Sequence, residues 1–275
     1  VQSSLTVLKN LLKNMQINDL EFKTTLVTQT NHILEIVLNR PDKKNAINPT
    51  MTNELLYALS YAEKTHEIRV VKFSANGDVF CSGGDLSVMK EEKNDLIPDM
   101  KGGIADIVKS IRKLCKPIVI EVRGNVYAGA LLLIANATHV FASEHVKFSA
   151  PEIKRGIWPF MVMAGLFRVM NRRAGLDFIM RGNQINAVEA KEQGLITEFY
   201  SEKDIGKKVQ EVVDELAALP PKAMKKGLNA FYKQEFKDFD EAMDFLEKQI
   251  AESLQSEEAQ EGITAFLEKR PPNWK

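Results

Sequence analysis

The sequence predicts an α/β fold whose strands and helices alternate over the first two hundred residues, followed by a tail of helices. Three observations carry this. Strand-length apolar runs recur at 32–39, 68–74 and 117–123. Helical stripes or apolar helical runs fall between them, at 49–66, 104–114 and from Ala128 to Asn136. From Asp204 onward only helical periodicity remains. Alternation of this kind is the pattern of an α/β core.

Residues 1–19 carry leucines at 5, 8, 11 and 12 with Met15, the spacing of an amphipathic helix. This reads as an N-terminal extension packing on the body or on another subunit. Its lysines without arginine argue against a mitochondrial presequence. Residues 20–30 and 32–39 read as two strands joined by a short turn. In the second, Leu34, Ile36 and Leu38 alternate with Ile33, Glu35 and Val37. A polar loop over 39–45 follows, then Asn48 as an N-cap with Pro49 at the first helical position. That helix should bury Leu55, Leu59 and Ala62 and end near His66.

After the 68–74 strand comes Phe80-Cys81-Ser82-Gly83-Gly84-Asp85-Leu86. A glycine pair and an acid after a strand can cradle phosphate, supply an oxyanion donor or simply turn the chain. Neither Gly-x-x-x-x-Gly-Lys-Ser/Thr nor Gly-x-Gly-x-x-Gly occurs, so the nucleotide-binding signatures are missing. The charged stretch 90–98 reads as a loop and 104–114 as a helix. The strand at 117–123 then runs through Gly124 into a tight turn and a helix with no polar residue from Ala128 until Asn136. Such a helix is buried on every side. Its first N–H groups lack intrahelical partners and favour negative charge. Small residues there, Ala128, Gly129 and Ala130, let a substrate oxygen approach the backbone, the requirement of an oxyanion hole; they equally suit close packing.

His139-Val140-Phe141-Ala142 and Val146-Lys147-Phe148 read as short strands. In the tail, Pro220-Pro221 opens one helix, and Asp238 with Glu241 forms a capping box for the next. Ala242, Phe245, Leu246, Gln249 and Ile250 make a mainly apolar stripe. Ser256 begins a last helix with Ile263, Phe266 and Leu267, stopped by Pro271-Pro272. So much apolar surface is expected to dock on another subunit.

Lysine plus arginine equals aspartate plus glutamate at 37 each, which gives no reason to expect nucleic acid or an anionic membrane as partner. No apolar run is long enough to span a bilayer. Cys81 and Cys115 form no disulfide framework or zinc pattern, and the four histidines show no ligand spacing. A soluble, cytoplasmic protein without a metal is expected.

The motifs resemble the crotonase (enoyl-CoA hydratase/isomerase) superfamily from Leu20 to Trp274. Leu38-Asn39-Arg40-Pro41 with Asn45-Ala46 is similar to its first signature, and Phe80 to Leu86 to its first oxyanion loop. Val122-Arg123-Gly124 through Leu133 matches its second oxyanion segment, and Pro151-Glu152-Ile153 with Gly156 its carboxylate segment. The resemblance implies a crotonase-type spiral of ββα units over 20–203 and a helical trimerisation region over 204–275. It also implies a coenzyme A thioester as substrate, with no separate cofactor. The oligomer would be a homotrimer or a dimer of trimers.

Carried onto this chain, the oxyanion donors would be the backbone N–H groups of Gly84 and Gly129, and the base Glu152. The bland reading of Glu152 is a loop carboxylate paired with Lys154 or Arg155. Ser82 and Asp85 belong to the first oxyanion loop, on the substrate. Lys44 and Ala46 fall where the family contacts the adenine end of coenzyme A, and Phe266 and Lys269 where a neighbouring subunit covers the nucleotide. Trp158, Phe160, Met161 and Met163 are placed to line an acyl pocket or to serve as core. Leu132 stands where the hydratases have their first glutamate. Glu121 and Arg123 share one side of a strand and can pair; a carboxylate from there or from Asp106 could replace the missing one. Leucine cannot hold or activate water, so isomerisation from Δ3 to Δ2 is favoured. The alternatives are hydration with substitute water activation and thioester binding without turnover.

Overall fold

The computed structural model describes residues 17–87, 97 and 100–274. The helix expected over 1–19 lies outside the described residues except for a 3-10 turn at Ile17–Asp19, as does the 90–98 stretch except for Ile97. β1 (Thr25–Thr30) and β2 (Ile33–Leu38) form an antiparallel hairpin, turned by Asn31 at φ 52°. Leu34, Ile36 and Leu38 of β2 are each fully buried, as their alternation requires.

α1 (Pro49–Lys64) starts where its cap chemistry dictates: the Met51 amide donates to Asn48 Oδ1 at 2.9 Å. The first strand begins five residues later than its apolar pattern suggests, because the preceding donors are taken. Glu54 of α1, buried at 4% exposure, accepts the Lys23 amide at 2.7 Å and the Thr24 amide at 3.0 Å. The hydroxyls of Thr24 and Thr25 donate to the same carboxylate. One buried acid thus satisfies a chain segment that has no sheet partner.

Three ββα turns follow. The first is β3 (Val70–Ala75), β4 (Val79–Cys81) and α2 (Ile104–Leu114). The second is β5 (Ile118–Val122), β6 (Asn125–Tyr127), a 3-10 turn at Ala128–Ala130 and the single-turn α3 (Leu131–Ile134). The third is β7 (His139–Ser143), β8 (Lys147–Ser149), a 3-10 turn at Pro151–Arg155, then α4 (Phe160–Val169) and α5 (Arg172–Arg181). In every turn the first strand enters a six-stranded sheet, ordered β1-β2-β3-β5-β7-β10, and the second enters a four-stranded sheet, β4-β6-β8-β9. β9 (Gln184–Asn186), α6 (Ala187–Glu192) and β10 (Glu198–Tyr200) close the two sheets. This is the spiral that the motifs imply.

Three expectations are corrected here. Asn125 to Tyr127, read as a turn, is a strand, because β4 and β8 flank it and supply parallel pairing on both edges. Gly124 permits this: a Cβ there would sit 2.7 Å from the backbone of Asp78 and Phe80. The buried helix after it is also shorter than expected, a 3-10 turn and one α turn. The tail likewise starts inside the body. α7 (Ile205–Ala218) buries Ile205, Val209, Val213 and Ala217 against Val70, Val119 and Phe141 of the large sheet. Beyond it run α8 (Pro221–Gln234), α9 (Phe239–Leu254) and α10 (Glu257–Glu268). Asp238 Oδ1 accepts the Glu241 amide and Ser256 Oγ the Ala259 amide. Phe236, Phe239, Phe266 and Leu267 of this region lie exposed on the single chain, whereas Ala242 and Ala265 are buried. Among the described residues no helix is long and apolar enough to cross a membrane.

Replacing Glu54 by alanine takes the acceptor from the buried Thr24 amide and from the hydroxyls of Thr24 and Thr25, so we expect a loss of about 2–4 kcal/mol of stability. Urea denaturation checks this; an unchanged midpoint refutes the anchoring role.

Candidate active site

β4, β6 and β8 run parallel and side by side, with Cys81 opposite Val126 and Val126 opposite Phe148. Their C-terminal ends therefore deliver three loops to one place: Ser82 to Asp85, Ala128 to Ala130, and Pro151 to Arg155. The carboxyl ends of parallel strands are where open α/β sheets place ligands. Here they open onto a cavity of about 1380 Å³ lined by Gly84, Gly129 and Glu152.

The two glycine loops touch. A Cβ on Gly83, which sits at φ 91°, would lie 2.8 Å from Gly129 N and 3.0 Å from the Ala128 Cβ. A Cβ on Gly129 would lie 3.5 Å from Gly84 N, whereas one on Gly84 would meet nothing within 4 Å. Gly84 also forms an isolated parallel bridge with Ile47: Ile47 N donates to Gly83 O at 2.8 Å and Asp85 N to Ile47 O at 3.0 Å. Those neighbours occupy the Ile47 edge, so the Gly84 N–H points the opposite way; among the described residues no acceptor is bonded to it. Gly129 is the second residue of its 3-10 turn, where an N–H has no partner within the turn. Ala128 enters that turn at φ 53°. A left-handed alanine costs about 1–2 kcal/mol, strain of the kind found at functional sites.

Glu152 lies in the first turn of Pro151–Arg155, which begins with proline and ends at Gly156 in the left-handed region. The side chain is half-buried, and Oε2 is a buried oxygen without a hydrogen-bond partner among the described residues. Burial pushes its carboxyl above the ordinary carboxylate range, opposed by its own backbone amide and by the charge of Arg155. No ion pair joins it to Lys154 or Arg155 among the described residues.

Lys44, Ser82, Asp85, Leu132, Trp158, Phe160 and Met161 also line the cavity. Leu132 is an apolar wall, 3% exposed. The Trp158 indole N–H donates to Met163 Sδ at 3.0 Å, and Met163 packs on the core. Asp85 is already engaged: its Oδ2 pairs with Arg40 at 3.1 Å and its Oδ1 accepts from Ser87. These bonds, first that from the Ser87 hydroxyl, hold its carboxyl below the ordinary range.

Ala46 does not line the cavity; its carbonyl accepts from Arg40 Nη1. Phe266 and Lys269 lie at the exposed end of α10, away from the cavity of their own chain. Glu121 is bonded to Arg123 at 2.6 Å and Lys72 at 3.3 Å on the large sheet, and Asp106 caps α2 through the Gly103 amide. Neither carboxylate replaces the one missing at Leu132. Among the described cavity residues Glu152 is the acid with an unpartnered oxygen.

Sequence reasoning passed over Arg40 and Asn45. Asn45 is fully buried at φ 51°; it accepts the Arg40 amide and donates to the carbonyls of Asn76 and Val79. They stood in a polar loop rich in turn formers and in the segment similar to the first signature, neither of which assigns them a bracing role.

Residues 28–275 match the model of the enoyl-CoA hydratase/isomerase family. The human protein named enoyl-CoA hydratase domain-containing protein 3, mitochondrial, is 29% identical over 92% of this chain and 84% of its own. Its crystal structure superposes with a TM-score of 0.85, at 28% identity, covering 92% of this chain and all of that one. Enoyl-CoA hydratase EchA19 of Mycobacterium tuberculosis is 30% identical over 90% of this chain and 95% of its own. Human enoyl-CoA delta isomerase 2 is 30% identical over 78% of this chain and 55% of its own. A match of this length, on a spiral shared with those relatives, makes the chain a member of the enoyl-CoA hydratase/isomerase (crotonase) family of enzymes.

Proposed function

We propose that this enzyme isomerises 3-enoyl-CoA thioesters to 2-enoyl-CoA, using Glu152 as the one shuttling base. The observation that carries the reading is the buried, unpartnered Glu152 oxygen beside the cavity. The thioester oxygen sits between the Gly84 and Gly129 amides. Glu152 takes a proton from C2, and the electron pair moves onto that oxygen as an enolate conjugated with the C3–C4 double bond. The same carboxyl returns the proton at C4, leaving the double bond at C2–C3. Each preorganised amide is worth about 3–4 kcal/mol of transition-state stabilisation in other enzymes. A carboxyl with a raised proton affinity suits a base that must give its proton back. The steps need no group besides the substrate, whose coenzyme A end the Lys44 side of the cavity would hold.

Leu132 supports isomerisation over hydration, since it offers nothing to a water above C3. Hydration is the second reading, favoured by the name of the mycobacterial relative. Incorporation of labelled solvent oxygen into 2-enoyl-CoA at the rate of substrate turnover would establish hydration and sink the isomerase. A binding protein without turnover would leave α-protons of acyl-CoA unexchanged with solvent. Assembly into a homotrimer, or a pair of trimers, belongs to the same reading and draws on the exposed aromatic residues after α7.

For Glu152→Gln we expect kcat on 3-enoyl-CoA to fall by about 10²–10⁴-fold with little change in KM. Full retained activity removes Glu152 from the mechanism. Because the folded-state carboxyl is shifted upward, activity that needs the carboxylate is lost as pH falls through that raised value. The acid limb of the kcat/KM profile should therefore lie above the ordinary carboxylate range, and Glu152→Gln should abolish it. The same shift means that folding favours the protonated form, so the ionised carboxylate costs stability at neutral pH and the cost vanishes in acid. Glu152→Gln should then raise Tm at pH 7, with the difference closing as pH is lowered; calorimetry at both ends tests this.

A further inference from the structure

We infer that Arg40, which does not line the cavity, is a positioning residue that aims the Gly84 amide through Asp85. The inference rests on the oxyanion role given to Gly84 above. The Gly84 N–H shares its peptide plane with Gly83 O, which accepts from Ile47 N; Asp85 holds the next peptide to the same Ile47, so a shift of Asp85 or of the 44–47 segment turns the donor. On the backbone side the loop hangs on the 44–47 segment, through Ser82 N to Lys44 O, Ile47 N to Gly83 O and Asp85 N to Ile47 O. That segment is itself a loop, with Lys44 and Asn45 both in the left-handed region at φ 51°. It has no sheet partner of its own to stiffen it beyond the single Ile47–Gly84 bridge.

Asn45 ties that segment to the carbonyls of Asn76 and Val79, and Arg40 braces it to the oxyanion loop. Its Nη1 donates both to Ala46 O and to Asp85 Oδ2, the latter at 3.1 Å. The two side chains are only 15% and 9% exposed. Arg40's own amide is held by Asn45 Oδ1 at 2.7 Å, and the second Asp85 oxygen holds Ser87. The result is a closed ring running Arg40, Ala46, Ile47, Gly84 and Asp85, with a shielded, charge-assisted contact as its closing bond. Charge-assisted bonds are roughly twice as strong as neutral ones. A displacement of about 1 Å at a reacting group can cost about 10²-fold in rate. Opening the ring should therefore appear at the donor rather than in the grip on coenzyme A.

The test reads the donor directly. A saturated acyl-CoA labelled with carbon-13 at the thioester carbonyl is bound to wild type, Arg40→Ala, Arg40→Lys and Asp85→Asn, and its carbonyl stretch is followed by isotope-edited infrared spectroscopy. Wild type should lower the stretching frequency relative to free thioester. Arg40→Ala and Asp85→Asn should move it part-way back and cut kcat about 10- to 100-fold, with KM within about three-fold. Arg40→Lys should recover part of both effects. Should Arg40→Ala not fold, Asp85→Asn, which keeps the side-chain shape, reads the same quantity. A wild-type band in a folded Arg40→Ala or Asp85→Asn overturns the inference while leaving the oxyanion reading standing. A wild-type complex with no frequency shift at all removes the oxyanion reading, and the inference with it.

Discussion

Val126 is paired along both edges of its strand, with Cys81 on one side and Phe148 on the other, and all three are buried completely. This short parallel ladder brings together three loops spread along the chain from Ser82 to Arg155. If β6 slipped by one residue, its outward and inward positions would exchange, and Gly129 would leave the neighbourhood of Gly84. Strain at Ala128 is tolerable because the pairing on either side overdetermines the backbone there.

Around this ladder the molecule treats its acids in two ways. Glu54, Glu121 and Asp85 are buried or nearly so, and each oxygen finds donors, so they act as fasteners. Glu152 has one oxygen that finds none among the described residues. A buried polar atom left unmatched is a stability cost, one that native structures keep where chemistry needs it. The contrast between satisfied and unsatisfied carboxylates on one chain is a stronger pointer to a reacting group than cavity shape alone. Leu132, 3% exposed, lines the same cavity and adds no carboxylate to it.

Much of this was legible in the residues. The β1–β2 hairpin, the Asn48 cap and the bounds of α2 follow from alternation, capping chemistry and helical spacing, all of which are local. The glycine pair and Glu152 were visible through motifs. What escaped was set by neighbours far off in sequence. β6 has three residues, too few to show a period, and becomes a strand because β4 and β8 pair with it. The first strand begins late because Glu54, on a later helix, takes the donors ahead of it. The pairing of Arg40 with Asp85 spans two loops whose contact no local pattern announces. α7 looked like the start of a separate tail because its stripe is amphipathic, and that pattern does not say which surface will cover it.

Each of the three loops hangs from its own rung, and Leu132 occupies a helical turn whose backbone is fixed by buried neighbours. Exchange of that single side chain would alter what the pocket presents to an acyl group while both amides kept their station. A scaffold divided in this way lets reactivity diverge without renegotiating the fold, so kindred chains can share nearly every contact and still catalyse different steps.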